Sequence, residues 1–398
     1  MTPLHLTHFT TASCLGHGLA AHHAALRDQR GGLTRCQFET VRDLDTYIGE
    51  VSGIDAIKLP DTLADYDCRN NRLAWLALQQ DGFMAAADAA ISRHGRRRVA
   101  VFLGTSTAGI LESEQAYRRC DPTTGTLPDD LIYRTTHNAY SVADFVRSAF
   151  QLEGPATVIS TACSSSAKVF ASAARMMQAG LIDAAIVGGV DSLCLTTLYG
   201  FNSLELLSAT PCQPFDTNRS GISIGEAAAF ILLERPADAL DANAVLLLGT
   251  GESSDAHHMS SPHPEGLGAQ MAMAAALKSA GLHADAIDYI NLHGTATPSN
   301  DAAEGKAVAA LFGDRVPCSS TKGATGHTLG AAGGLEAVLG ALALQQGFLP
   351  GGINTTEIDP SIPVQYLNAN REVAPKRVLS NSFGFGGTNC SLVLGRAG

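Results

Sequence analysis

The sequence predicts an α/β protein with parallel strands joined by right-handed crossovers, and three observations carry that prediction. Short β-rich runs that end in small residues alternate along the chain with Ala-rich stretches. Apolar residues make up 45% of the 398 residues and charged residues 16%, an ordinary globular composition that excludes a mainly disordered chain. No apolar run approaches the ~20 residues needed to cross a bilayer.

Taken in order, Arg98-Val-Ala-Val-Phe-Leu-Gly reads as a buried strand stopped by glycine. A long loop from Arg118 to Tyr140 follows, rich in Asp and Thr with two prolines, and loops of that length are often functional. Ala156-Thr-Val-Ile-Ser is a strand, Ser166 to Gln178 a buried helix rich in Ala and Met, and Ala184-Ala-Ile-Val-Gly-Gly a further strand. The polar stretch Glu234 to Asn243 breaks the chain near its middle, which sets the expected halves at residues 1–240 and 241–398. In the second half, His257 to Leu267 is another long loop, Ile287 to His293 a strand, and Gly333 to Gln346 a buried helix. A strand, a small-residue turn and an Ala-rich helix ending in glycine occur twice, at Val158 to Gly180 and at Cys318 to Gly347. That echo fits an internal duplication, although two Ala-rich helices also look alike by composition alone.

Charge and cysteine usage narrow the function. With 27 Lys+Arg against 38 Asp+Glu the net charge is -11, which argues against a nucleic-acid partner. The nine cysteines include no Cys-x-x-Cys pair, so neither a zinc site nor a disulfide framework is expected. The amino end has no basic region followed by an apolar core, so the expectation is a soluble, cytoplasmic protein with no membrane span and mostly inert thiols. Glycine is abundant, 40 residues gathered in short motifs, as tight backbone turns require.

The chemistry begins at Thr161-Ala-Cys163-Ser-Ser-Ser, where a strand turns sharply into a helix. A thiol there faces the unpaired N–H groups of the helix start, which favour the thiolate, and such an elbow suits covalent acyl chemistry. Taken alone, any one of nine cysteines is more often a small buried core residue. Three other segments offer partners. Asn291-Leu-His293-Gly-Thr-Ala-Thr-Pro puts a histidine at a strand's carboxyl end, where crevices open in parallel sheets. Lys322-Gly-Ala-Thr-Gly-His327-Thr-Leu-Gly-Ala-Ala-Gly-Gly-Leu-Glu336 brings a lysine, a histidine and a glutamate around a second turn and helix. Asn381-Ser-Phe-Gly-Phe385-Gly-Gly-Thr-Asn389 is a loop whose glycines let backbone N–H groups approach a ligand.

These four blocks, with Pro214-Phe-Asp-Thr-Asn-Arg219-Ser-Gly-Ile-Ser-Ile-Gly-Glu226, occur in the order found in the elongating β-ketoacyl-[acyl-carrier-protein] synthases, and the chain resembles that family over nearly its whole length. The resemblance implies a thiolase-like five-layered α-β-α-β-α fold of two similar halves. It implies an acyltransferase that performs a decarboxylative Claisen condensation of a malonyl thioester with a Cys-bound acyl chain, in fatty acid, polyene or related polyketide synthesis. In family terms Cys163 is the nucleophile, His293 and His327 stabilise the enolate, and Lys322 supports the histidines. Backbone N–H groups of Cys163 and Phe385 form the oxyanion hole, and the Phe385 ring gates the acyl pocket. Glu336 and Glu304 are supporting residues, while Asp216, Arg219 and Glu226 brace loops. Thr107, Ala108 and Phe201 are implied to line the acyl pocket. The resemblance further implies substrates carried on the phosphopantetheine of acyl carrier protein, with no resident cofactor or metal, and a homodimer or a heterodimer with a related ketosynthase or chain-length factor.

Because carrier proteins are acidic, docking on an acidic enzyme calls for a local basic patch, with Arg69, Arg72, Arg118, Arg119 and Arg134 as candidates. The sequence departs from the usual pattern at Arg219-Ser220-Gly221, at Gly225-Glu226-Ala227 and at Glu205. These changes spare the chemistry but keep a specialised acyl pathway open beside housekeeping elongation. Two other readings stay open: a weakly active or silent partner of another ketosynthase, and a condensing enzyme that uses coenzyme A.

Overall fold

The structure, a computed structural model, describes residues 1–398. In the first half the long strands are Leu4–Ser13, Val99–Gly104, Ala156–Ile159, Ala184–Asp191 and Ala227–Glu234. They lie in the spatial order third, second, fourth, fifth, first. In the second half Val245–Ser254, Tyr289–Asn291, Pro317–Ser319, Arg377–Gly384 and Thr388–Arg396 adopt the same order, with Gln365–Tyr366 added at the edge. Two residue pairs, Leu4 with Leu247 and His5 with Leu246, join the two groups through their first strands. Identical strand order in both groups is a stronger sign of duplication than the compositional echo, because composition does not dictate topology.

The expected parallel pairing is observed among the second, third and fourth strands of each group. The fifth strand runs antiparallel to both its neighbours in each group, which corrects the all-parallel expectation. Between Arg377–Gly384 and Thr388–Arg396 the cause is simple: only Phe385–Gly387 links them, too short for a crossover, so the chain must fold back as a hairpin.

Helices Ser165–Gln178 and Ala332–Gln346 lie between the two groups of strands and touch both. Their Phe170, Met177, Leu335, Leu339 and Leu342 are buried in the central core. Helix Ala332–Gln346 is buried at every position through Leu344, which explains why that stretch is small and apolar throughout except at Glu336. Arg69–Leu78, Phe83–His94 and Ser141–Ala149 cover the outer face of the first group. Leu267–Ala280 and Pro298–Phe312 cover that of the second. The result is the five-layered, thiolase-like arrangement.

Arg69 is only 4% exposed and donates to both oxygens of the fully buried Glu226, at 2.9 and 2.7 Å, as well as to Glu50 and Asp55. Glu226 also accepts the N–H groups of Val51 and Leu193. This arginine is part of the internal frame and presents no charge to a partner, so it leaves the expected docking set; a lone arginine in sequence gives no sign of its buried acid.

Candidate active site

The residues that carry chemistry follow the carboxyl ends of strands. Ala156–Ile159 leads to Cys163, Tyr289–Asn291 to His293, Pro317–Ser319 to Lys322 and His327, and Arg377–Gly384 to Phe385. Parallel strands that end at one edge of a sheet deliver such residues to one place. At the elbow, Ala162 has φ +51°, a left-handed conformation uncommon for a residue with a side chain, which turns Cys163 out of the strand line into the site.

His327 Nε2 lies 3.0 Å from Cys163 Sγ. On the other side of the same ring, Nδ1 accepts the backbone N–H of Leu329 at 3.3 Å. A neutral imidazole with Nδ1 accepting carries its proton on Nε2, so His327 offers an N–H donor to the centre. His293 is set the same way. Its Nδ1 is 3.4 Å from the Lys322 ammonium, which also donates to the His293 carbonyl at 2.6 Å and to Glu336. The two rings meet edge to face with centroids 5.3 Å apart. Burial, then the Lys322 charge, holds both histidines well below their ordinary pKa, with His327 adding to the effect on His293, so both rings are neutral donors.

Cys163, His293 and His327 bring their sulfur and nitrogen atoms within 4.8 Å of one another, a compact set that could ligate a metal. The outer partners have the wrong polarity for that role. A metal-bound histidine donates its remote N–H, whereas here both remote nitrogens receive donors. The arrangement suits an oxygen that gains negative charge.

The thiol itself corrects an expectation. Burial pushes Cys163 up to about 11, against the opposing pull of Lys322 and the Phe385 N–H; the buried Asp191 carboxylate adds to the rise. The helix start therefore does not yield a resting thiolate, because desolvation of the anion outweighs it. Alkylation of Cys163 by iodoacetamide should accordingly rise about tenfold per pH unit from pH 7 to 10, as the thiolate fraction grows. A plateau below pH 8, read by mass spectrometry of the Cys163 peptide, would contradict this.

Glu304 accepts the N–H groups of His293 and Gly294 at 2.8 Å each and the Asn381 amide at 3.0 Å, so it clamps the backbone that carries His293. Burial raises its carboxyl to about 7. Glu336 is held at about 7 as well, by burial offset by Lys322. Asp216 and Arg219 tie loops together: Asp216 accepts from Asn218, Thr356 and Glu357, and Arg219 pairs with Asp359 at 2.6 Å.

The cavity above Cys163 is lined by the apolar Phe201, Leu206, Ile222 and Phe385 and by the polar Thr295, Thr297 and Asn300. The Phe201 and Phe385 rings stand 5.6 Å apart. Gly386 and Gly387, at φ +80° and +72°, give the Phe385 turn a path that other residues enter only with strain. That turn is tied to the His257–Leu267 region, since Gly386 N–H donates to the Met259 carbonyl at 2.7 Å. Thr107 and Ala108 do not line this cavity: the Thr107 hydroxyl donates to Asp191 at 2.9 Å and Ala108 is buried at φ +42°. Of the remaining arginines, Arg72 pairs with Asp67 and Arg119 with Asp130, while Arg118 bonds the Thr40 hydroxyl and Arg134 is exposed.

The family models for the β-ketoacyl synthase N-terminal domain and C-terminal domain match residues 68–239 and 244–356. The chain belongs to the β-ketoacyl synthase family. It is 33% identical over 370 residues to the 3-oxoacyl-[acyl-carrier-protein] synthase 2 of Coxiella burnetii, covering 89% of this synthase and 86% of the relative. It is 31% identical to the enzyme of the same name from Synechocystis, covering 95% and 94% of the two chains. Among solved structures it resembles the ketosynthase ApeO, in complex with its chain length factor ApeC, from Xenorhabdus doucetiae, with a TM-score of 0.89 and 39% identity over 100% of this chain and 98% of that one. The protein is an acyl-transferring condensing enzyme of fatty acid or polyketide biosynthesis. No helix is long and apolar enough to cross a membrane.

Sequence motifs name Cys163, His293, Lys322, His327 and Phe385, and the fold brings all five to one cavity or its immediate support. Motif reasoning misses Asp191 and Asn381. Asn381 lies inside a recognised motif without a distinguishing neighbour, and Asp191 is a lone acid at a strand end.

Proposed function

We propose that this condensing enzyme holds its acyl chain on Cys163 and extends it with a malonyl unit delivered on the phosphopantetheine of an acyl carrier protein. The observation that supports this reading is the pair of neutral histidine N–H donors directed at the region of the Cys163 sulfur. In the first step sulfur attacks the acyl thioester carbonyl, whose developing oxyanion takes the N–H groups of Cys163 and Phe385. The carrier thiol leaves with the proton given up by Cys163, so this exchange needs no external base. In the second step the bond to the malonyl carboxylate breaks, CO₂ leaves, and the electron pair becomes an enolate whose oxygen accepts from His293 and His327. Its carbon attacks the acyl carbonyl, and the released Cys163 sulfur takes up one proton. The ammonium of Lys322 keeps both imidazoles neutral and turned. No resident metal or cofactor enters this scheme.

Incubation with an acylated carrier protein should add the acyl mass to Cys163, and Cys163→Ser should abolish a stable thioester. Transfer from malonyl-coenzyme A as fast as from the malonyl carrier would favour the coenzyme A reading. His327→Ala should lower malonyl decarboxylation about 10²-fold or more, the usual scale for one lost donor, with acylation of Cys163 reduced less than tenfold. Equal loss of both half-reactions would contradict this division of labour.

For the assembly, we place the edge strand Ala156–Ile159 against a second ketosynthase-like chain in the cytoplasm. One edge of this strand is unpaired, and Ile132, Tyr133 and Tyr140, from the long loop before it, are 40%, 57% and 38% exposed. The nine free cysteines suit a reducing compartment. Residues 1–240 and 241–398 form the two halves in this scheme, divided in the irregular link between Glu234 and Val245. Light scattering of the protein alone and co-expressed with a chain-length factor separates homodimer from heterodimer.

A further inference from the structure

Asp191 is the last residue of strand Ala184–Asp191 and is fully buried. Its Oδ1 accepts from the Thr105 hydroxyl at 2.7 Å, Ser106 N at 2.7 Å, and the N–H and hydroxyl of Thr107 at 2.9 Å each. Its Oδ2 accepts the N–H of Gly330 at 2.5 Å. The two threonine hydroxyls accept elsewhere, from Ala108 N and Ser192 N, so their protons are directed to the carboxylate. Every partner is a donor, which is the pattern an ionised acid requires and an amide cannot match.

One of those partners lies three residues beyond His327. Between them Leu329 has φ +51° and places its N–H on His327 Nδ1, the contact that fixes the proton on Nε2. A leucine in that conformation needs neighbours that hold it there. At Gly330 there is no room for anything but backbone: a Cβ would stand 2.8 Å from Asp191 Oδ2 and 2.7 Å from Ser106 Oγ. We propose that Asp191 is a positioning residue for His327, a clasp between the Thr105–Ala108 turn and the His327–Gly330 turn that keeps the His327 Nε2–H aimed at the reacting oxygen. This rests on the enolate-stabilising role proposed for His327.

The test uses the full-length enzyme and Asp191→Asn. Loss of the clasp should lower CO₂ release from malonyl carrier protein tenfold or more while acylation of Cys163 changes less than threefold. The alkylation profile of Cys163 should also shift to lower pH, because one buried negative charge near the thiol is gone while Lys322, the two neutral histidines and the Phe385 N–H still face it. Equal loss of both half-reactions with an unmoved alkylation profile is the result of a purely structural role and overturns the proposal. Thr107→Val removes one donor but keeps the charge. It should cost about threefold in decarboxylation with no shift of the profile; if Asp191→Asn does not fold, unchanged decarboxylation in Thr107→Val overturns the proposal instead. His327→Ala in the same assay tells the two failures apart. If it spares decarboxylation, the role of His327 is wrong and the clasp falls with it. If it lowers decarboxylation while Asp191→Asn does not, the clasp alone is wrong.

Discussion

Cys163→Ala is expected to lower condensation by roughly 10⁴-fold or more, the scale on which removal of a covalent nucleophile acts. The thiol is buried and small, so the fold should tolerate its loss with a stability change of about 1 kcal/mol. The histidine donors are held from their far sides by Lys322 and Leu329, independently of the sulfur. Release of CO₂ from a malonyl carrier should therefore persist in Cys163→Ala. Parallel assays of product formation and CO₂ release decide the point, and loss of CO₂ release together with condensation would mean that sulfur takes part in both steps.

Lys322→Met should have the largest effect on stability, because it leaves the Glu336 carboxyl without its partner inside a helix that is buried through Leu344. Removing one member of a buried pair typically costs about 3–5 kcal/mol, whereas replacing both is often close to neutral. Urea unfolding should thus show Lys322→Met strongly destabilised and Lys322→Met/Glu336→Leu, with both members replaced by apolar residues, largely restored. Activity should not follow stability back. Both lose the charge that depresses the histidines, so the imidazoles become more basic and protonate at a higher pH. The acid limb of decarboxylation should move toward neutral pH in both proteins. A double variant restored in stability and in pH profile would show that Lys322 serves only the fold.

Much of this site is legible in the sequence because its chemistry lies in contiguous motifs. Cys163, His293, Lys322 and Phe385 each follow a strand within four residues and His327 within eight, so turn residues and apolar runs mark them together. What sequence spacing cannot convey is the identity of partners far away in the chain. Arg69 reads as surface charge because Glu226 is distant in sequence yet adjacent in space. Thr107 reads as a pocket wall because its hydroxyl partner, Asp191, is reached only through sheet pairing. The elbow argument for a thiolate fails for a related reason: a local helix start is visible in sequence, and the desolvation imposed by the whole fold is not. The antiparallel fifth strands stay hidden because alternating strands and helices suggest crossovers throughout, and the closing hairpin carries no helix to mark its change of direction.

The raised thiol has a further meaning for the protein's life before it works. An unfolded cysteine has a pKa of about 8.5, while Cys163 in the native state stands at about 11. Burial likewise raises Cys14, Cys36, Cys68, Cys194, Cys212, Cys318 and Cys390. The unfolded chain therefore presents these eight thiols at their ordinary acidity, and at one pH near neutral iodoacetamide should label them faster in urea than in the folded protein.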